Sequence, residues 1–223
     1  VYILPADDEW NNCPNPSMAW TFWEKYFYNF DTLYWEKPIV YTVSHQNNQI
    51  SNFAFVRNRA LFVGVNVLSG TVHRPNQWAN RHARSLEWIE KNVNNAVSDT
   101  NIIVIVGHAA PSDDNNDFFE PLYAAAESWG KPTVYLYHLS GTRRIKENVN
   151  SKKNLQLFGI DGSSWPPLKL EVDANSRKVN FKTYKDAPTA YPTAQPSETP
   201  TTHPPTKQPS KAPTKIPTKQ PSK

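Results

Sequence analysis

The chain has 223 residues, of which 38% are hydrophobic and 13% aromatic, enough apolar material for one sizeable core. It carries 24 basic and 20 acidic side chains, and five lysines against one glutamate in residues 187–223 supply the whole net charge of +4. The remaining body is neutral, which argues against a nucleic-acid-binding domain. Its longest apolar run, residues 102–106, is too short for a membrane span, which needs about 20 residues.

The first half of the body begins with apolar runs and one aromatic helix pattern. Residues 17–30 predict an amphipathic helix whose aromatic side chains belong to the core. Four runs predict strands, the last two of which form a hairpin that turns at residues 57–59. These runs are residues 1–4, 38–43, 52–56 and 61–67.

The second half continues the alternation of helices and strands. Residues 77–97 predict the longest helix, and His82 lies on its apolar stripe, which favours a core histidine over a metal ligand. The β-branched run at residues 102–106 is typical of a strand that is covered on both faces. A helix near residues 118–128 follows, and further strands are predicted at residues 133–137, 155–158, 168–172 and 179–182. This order predicts an α/β domain over residues 1–186.

Residues 187–223 form a proline-rich tail in which proline recurs every four residues, usually followed by threonine or serine. Proline excludes a helix, and the scarcity of apolar residues leaves nothing to offset ordering entropy, so the tail is predicted to be disordered. Such tails resemble the glycosylated or wall-associated stalks of secreted proteins. Three interpretations stay open: a plain spacer, a set of modification sites, or adhesion to an anionic wall or matrix polymer.

Candidate metal ligands follow three of the predicted strands. They are Asp7 and Asp8 in an acidic loop, His108 after a glycine, and His138 at the end of the predicted strand at residues 133–137. Open α/β sheets place their ligands at the carboxyl ends of strands, and two carboxylates with two imidazoles suit a divalent metal. Histidine and aspartate are also common at strand ends without any metal, so this pattern alone leaves both interpretations open.

Several short segments resemble one branch of the calcineurin-like metallophosphoesterases. Residues 5–13, Pro-Ala-Asp-Asp-Glu-Trp-Asn-Asn-Cys, are similar to that branch's loop Pro-Gly-Asp-Asn-Glu-Trp-Asn-Asp-Cys. Residues 61–70 resemble its strand and asparagine-containing turn, residues 81–89 its helix, and residues 131–134 its next strand. The segments occur in the same order and together span most of the body.

The resemblance implies a four-layer αββα sandwich with two divalent ions, Mn, Fe or Zn, that hydrolyses phosphate esters. It assigns Asp7 to the position of a metal-bridging residue, and Asp8 to the position of a residue that stabilises the transition state. It assigns His108 to the histidine of a Gly-His motif that binds metal. His138 could supply a further ligand only if its loop shifted.

The chain departs from the family pattern at several positions. Ala6 replaces the loop glycine, and Asp8 puts an anion where a phosphate ester would prefer a hydrogen-bond donor. The family's Gly-Asp-x-His segment aligns with residues 138–141, His-Leu-Ser-Gly, which removes its terminal histidine ligand. The family's Asp-x-His and Gly-Asp-x-x-Asp motifs do not occur in the sequence. We therefore expect a C-terminal part of such a domain, from a secreted or cell-surface protein whose signal peptide precedes Val1.

Two functions of different class follow from these patterns. The first is a metal-dependent phosphoesterase that is impaired or inactive in this chain. The second is a noncatalytic secreted protein that uses the same fold as a binding or structural platform, tethered by the basic tail.

Overall fold

A computed structural model of the chain describes residues 1–7, 9–28, 30–33, 40–96, 98–138, 146–147, 154–160 and 168–183. The chain divides into two units, Val1–Lys185 and Asp186–Lys223, and all described residues belong to the first. Asp8 and the predicted tail lie outside the described residues, and the domain boundary at residue 186 stays a prediction. Of the helices that are described, none is both long and apolar enough for a membrane span.

The described residues form four α-helices and nine strands. The helices are α1 (Pro16–Phe27), α2 (Phe30–Leu33), α3 (Pro75–Ala96) and α4 (Asn116–Trp129). The strands are β1 (Ser44–Gln46), β2 (Gln49–Arg57), β3 (Ala60–Gly64), β4 (Ile102–Val106), β5 (Thr133–His138), β6 (Lys146–Glu147), β7 (Leu155–Ile160), β8 (Leu168–Asp173) and β9 (Lys178–Thr183).

Seven strands form one mixed sheet in the order β1-β2-β3-β4-β5-β7-β6, while β8 and β9 pair with each other. The four strands β3, β4, β5 and β7 run parallel, and β1, β2 and β6 pair antiparallel with their neighbours. Helix α3 connects β3 to β4, and α4 connects β4 to β5, as crossovers between parallel strands. The predicted α/β class is confirmed.

Both faces of the sheet are covered around β4. Ile103 and Ile105 are fully buried in the cluster that also contains residues of α3 and α4. Val104, which points to the opposite face, is buried in a second cluster with side chains of β8 and β9 such as Phe181. The prediction that residues 102–106 are covered on both faces is therefore confirmed.

A two-residue turn connects β2 to β3, as the sequence predicts. Arg57 pairs with Ala60, and the residues between them, Asn58 and Arg59, have positive φ angles of 48° and 63°. Two successive positive φ angles are the mark of a type I′ turn, whose twist matches that of the strands it joins.

The structure differs from two of the predicted strands. Residues 1–4 pair with no described strand; instead the Tyr2 ring stacks on Phe53 and Phe55 of β2, with centroid distances of 4.8 and 5.2 Å. Of the predicted strand at residues 38–43, only residues 40–43 are described, and they are not a strand either. The strand begins after them, at Ser44. An apolar run predicts burial, but residues 2–4 are only partly buried and Val1 is exposed, so the segment contacts the sheet through the Tyr2 ring without strand pairing.

Helix α1 ends earlier and is less buried than its aromatic pattern predicts. Asn15 caps the helix by accepting a hydrogen bond from the Met18 amide (3.1 Å), and Pro16 takes the first position. Within α1 only Trp23 is buried, whereas Phe27 is 37% exposed. The prediction that the whole aromatic stripe belongs to the core is therefore wrong.

His82 is a core histidine, as predicted. It is fully buried on α3, where Nε2 accepts a hydrogen bond from the Leu68 amide (3.1 Å) and Nδ1 lies 2.7 Å from Oδ1 of Asp117. An acceptor at Nε2 requires the proton to be on Nδ1, so the neutral ring satisfies both contacts. Burial lowers the pKa of His82, although the Asp117 carboxylate opposes this shift.

We predict that His82 makes the fold less stable in mild acid. Below about pH 6.5 the unfolded chain takes up a proton that folded His82 resists, so the free energy of unfolding falls until pH reaches the lowered folded pKa. Between pH 7.5 and pH 5.5, the urea concentration at the unfolding midpoint should fall less for His82→Gln than for the unchanged chain. His73, which is exposed, gives the control: the urea midpoint of His73→Gln should fall as much as that of the unchanged chain. Equal losses in all three proteins would contradict the prediction.

Candidate functional site

The parallel pairing of β3, β4 and β5 continues for one residue beyond the strands. The Val65 amide donates to the Val106 carbonyl (2.9 Å), and the Gly107 amide donates to the Leu136 carbonyl (2.9 Å). The His138 amide donates in turn to the carbonyl of His108 (3.0 Å). These bonds hold the two predicted histidines at the same edge of the sheet.

Asp7 joins the histidines from the N-terminal segment. Its side chain is almost fully buried, and Oδ2 lies 3.2 Å from Nε2 of His108. Ser69 supplies two further contacts, because its amide donates to Oδ1 (3.1 Å) and its hydroxyl donates to Oδ2. The carboxylate therefore has partners at both oxygens, as a buried charge requires.

The loop after Asp7 is attached to the turn that contains Ser69. The Asp7 carbonyl accepts from the amides of Trp10 (3.3 Å) and Asn12 (2.9 Å), which closes a tight turn. The Asn11 side chain then donates to the carbonyls of Ser69 (3.0 Å) and Thr71 (3.1 Å). The loop's position is thus set by contacts with residues about 60 positions further along the chain.

His138 lies beside His108 but is arranged differently. The two imidazole rings are nearly parallel, at an interplanar angle of 14° and a centroid distance of 5.1 Å. The His138 side chain is exposed, whereas that of His108 is only 20% accessible and contacts Asp7. The structure therefore brings together Asp7, His108 and His138, while Asp8 lies outside the described residues.

Gly107 leaves room for the side chain of Tyr135. A Cβ atom at this position would overlap the hydroxyl of Tyr135 and lie 2.9 Å from its Cζ atom. Tyr135 is fully buried, and its hydroxyl donates to the carbonyl of Ala109 (3.0 Å). The glycine of the Gly-His pair therefore has a packing role beneath the site.

The Asp7–His108 pair has the spacing of two ligands of one metal ion. Oxygen and nitrogen donors about 2.1 Å from a metal, at angles of 90° to 110°, lie about 3.0 to 3.4 Å apart. The observed 3.2 Å falls within this range. Nevertheless, no group of three or more histidine, cysteine, aspartate or glutamate side chains that could hold a metal occurs among the described residues.

Asn66 is a buried polar residue whose position the sequence did not distinguish. Its amide donates to Oδ1 of Asn52 (2.8 Å), and its carbonyl accepts from the Ser85 hydroxyl (3.1 Å). Within the described part of the chain, neither polar atom of its side chain has a hydrogen-bond partner. The sequence places Asn66 inside a predicted strand. Its only other signal is that residues 61–70 resemble the family's strand and asparagine-containing turn.

Comparisons of the chain with family models, with curated proteins and with solved structures give no match.

We predict that Gly107→Ala destabilises the fold by about 1 to 3 kcal/mol, because the added methyl group overpacks the space beside Tyr135. Removing the hydroxyl in Gly107→Ala/Tyr135→Phe should recover part of this loss, so the two substitutions should be non-additive. Urea unfolding of the four proteins of this cycle measures the coupling. Simple additivity of the two losses would show that the hydroxyl does not restrict Gly107.

Proposed function

We propose that the chain is a calcineurin-like metallophosphoesterase domain that keeps two metal-ligand positions, Asp7 and His108, but has lost turnover. The observation that carries the proposal is the 3.2 Å contact between Oδ2 of Asp7 and Nε2 of His108 at the carboxyl end of parallel strands. The two residues are 101 positions apart, and each occupies a ligand position that the resemblance assigns. When bound, a divalent ion such as Mn, Fe or Zn would polarise a phosphate oxygen and activate water.

The layers of the fold support the proposal. Helices α3 and α4 cover one face of the seven-stranded sheet, and the β8–β9 pair packs against the other face through residues such as Val172 and Phe181. A helix layer, a sheet and a second β layer are three parts of the proposed four-layer αββα sandwich. The remaining layer, a second layer of helices, is proposed.

Three features support the loss of turnover. Each oxygen of the Asp7 carboxylate accepts a hydrogen bond from Ser69, so a metal would have to compete with contacts that already satisfy the charge. His138 stacks parallel to His108, and no group of three metal-binding side chains occurs among the described residues. The resemblance also assigns Asp8, an anion, to a position where a phosphate ester would prefer a hydrogen-bond donor, so its charge would repel the substrate.

We expect the purified chain to release no nitrophenol from nitrophenyl phosphate in the presence of Mn²⁺, because a divalent ion held by two ligands is weakly bound. Absorbance of the released nitrophenol measures the activity. The prediction would be overturned by turnover that is lost in His108→Ala and kept in His73→Ala.

Zn²⁺ titration by calorimetry tests the ligand pair separately. Zn²⁺ binding should be weak in the unchanged chain and weaker still in Asp7→Asn and His108→Ala.

A second candidate function is a noncatalytic platform of a secreted or cell-surface protein. It is favoured by the charge distribution, since the net charge of +4 lies entirely in residues 187–223. An evenly spaced row of lysines would attract an anionic wall or matrix polymer, while the neutral domain would be presented at its surface. In this function the Asp7–His108 contact is a structural ion pair that fixes the N-terminal loop.

We predict that deletion of residues 187–223 abolishes retention of the chain on a polyanionic matrix at low salt. Retention of the full chain should also fall as salt rises, because the Debye length shortens to about 10 Å at 0.1 M. A variant with the five tail lysines changed to glutamine is the matched control, because it keeps the length and the prolines. Unchanged retention after either change, measured by the salt concentration of elution, would rule out the tether.

A further inference from the structure

A polar cavity lies on the side of helix α3 that faces the β1–β2 turn and helix α1. Its volume is about 420 Å³, within the range of about 300 to 1,000 Å³ that is usual for small-molecule sites. Its lining includes two arginines, Arg81 and Arg84, together with Gln49 and Glu24. None of the residues considered above as metal ligands contributes to it, so the cavity is separate from the candidate metal site.

Arg81 is the most unusual residue of the cavity. It is only 7% exposed, and its guanidinium carbon lies 4.2 Å from the ring centre of Trp10 and 4.1 Å from that of Trp20. These indoles provide cation–π contacts but no hydrogen-bond acceptors to the guanidinium. In the described part of the chain, its Nε atom has no hydrogen-bond partner, and no carboxylate lies within ion-pair distance of Arg81.

Gln49 supplies a second unpartnered polar atom in the same lining. The residue is 3% exposed, and its Nε2 atom donates to the Ser85 hydroxyl at 2.9 Å. Ser85 in turn donates to the Asn66 carbonyl, which fixes the hydroxyl as an acceptor toward Gln49. Among the described residues, Oε1 of Gln49 has no partner. Arg81 and Gln49 therefore both line the cavity, and each keeps a buried polar atom without a protein partner, which is costly in a folded protein.

The charge around the cavity favours an anion. Arg81 and Arg84 contribute two positive charges and Glu24 one negative charge, and the Glu24 carboxylate also accepts a hydrogen bond from Nε1 of Trp20 (2.8 Å). Burial and the nearby Arg84 charge lower the pKa of Arg81 to about 10, so the guanidinium remains charged at neutral pH. A planar carboxylate can accept parallel hydrogen bonds from the two Nη atoms of such a group.

The rest of the cavity lining favours hydroxyl groups. Four exposed amide side chains surround it: Asn47, Asn48, Gln77 and Asn80. Each amide offers both a donor and an acceptor, which matches hydroxyl groups, since a hydroxyl also does both. Trp20 is stacked on Trp23 at an interplanar angle of 8° and contacts Arg81, so it offers little free ring face to a ligand. Recognition would therefore be polar rather than by stacking.

We propose that this cavity binds a small hydroxylated carboxylate of the uronic acid class, with its carboxylate on Arg81 and its hydroxyl groups on the surrounding amides. Arg84 adds charge at the mouth, where its Nη1 atom is held by the Asn48 carbonyl (3.2 Å). The proposal does not depend on the metallophosphoesterase assignment.

Calorimetric titration of the full chain at low salt tests the proposal with glucuronate, glucose and inorganic phosphate as probes. Glucuronate should bind, and glucose, which lacks the carboxylate, should bind at least tenfold more weakly. Phosphate should also bind more weakly than glucuronate, because it lacks the additional hydroxyl groups that the surrounding amides would bind. Glucose binding as tightly as glucuronate would overturn the carboxylate assignment, and phosphate binding as tightly would overturn the hydroxyl assignment.

Variants locate the binding. Arg84→Gln and Asn80→Ala change exposed side chains and should fold normally; we expect a loss of about tenfold in glucuronate affinity for the first and a smaller loss for the second. Arg81→Lys keeps the charge but removes the paired donors and should abolish binding, with circular dichroism used to check its fold. Arg74→Gln, an exposed arginine outside this cavity, is the matched control for charge. No heat with glucuronate, or equal affinity in Arg84→Gln, Asn80→Ala and Arg74→Gln, would refute the site and leave a solvent-filled cavity.

Discussion

The parallel pairing of β4 with β3 and β5 is the constraint on which the candidate metal site depends. Because the three strands run in the same direction, their carboxyl ends meet, and the pairing extends past them through Val65, Gly107 and His138. This extension fixes the backbone on both sides of His108. A register shift by one residue would turn His108 to the opposite face and separate it from Asp7.

The second partner of the site, Asp7, reaches this edge through a different set of interactions. Ser69 and Asn11 connect the N-terminal loop to the turn after β3, and Trp10 packs with Leu68 and Trp78 beneath it. The Arg81 guanidinium also contacts the Trp10 ring and thus contributes to both regions. The proposed anion cavity and the Asp7 loop consequently both depend on the position of Trp10. None of the candidate metal ligands lines the cavity.

Both regions contain buried polar groups without described partners, and the main core has such an atom as well, Nε1 of Trp88. Asn66 near the sheet edge, and Gln49 and Arg81 in the cavity, are all at least nine-tenths buried and leave polar side-chain atoms without described partners. His82, by contrast, satisfies both ring nitrogens within the protein. Because a buried donor or acceptor without a partner costs about 1 to 3 kcal/mol, such groups are more readily maintained where a ligand or water completes them.

The sequence by itself determined the α/β class, the buried strand at residues 102–106, the hairpin at residues 57–59 and the core position of His82, because each depends on local periodicity or turn chemistry. It also identified His108 and His138 as residues at strand ends, and Asp7 as a candidate ligand although no strand precedes it. Only the tertiary structure decided that Asp7 pairs with His108 while His138 stacks beside it, that residues 1–4 form no strand, and that α1 leaves much of its aromatic surface exposed. The contact of Arg81 with Trp10 and Trp20 gave no signal in the sequence, because it joins residues more than 60 positions apart through packing that no local pattern encodes.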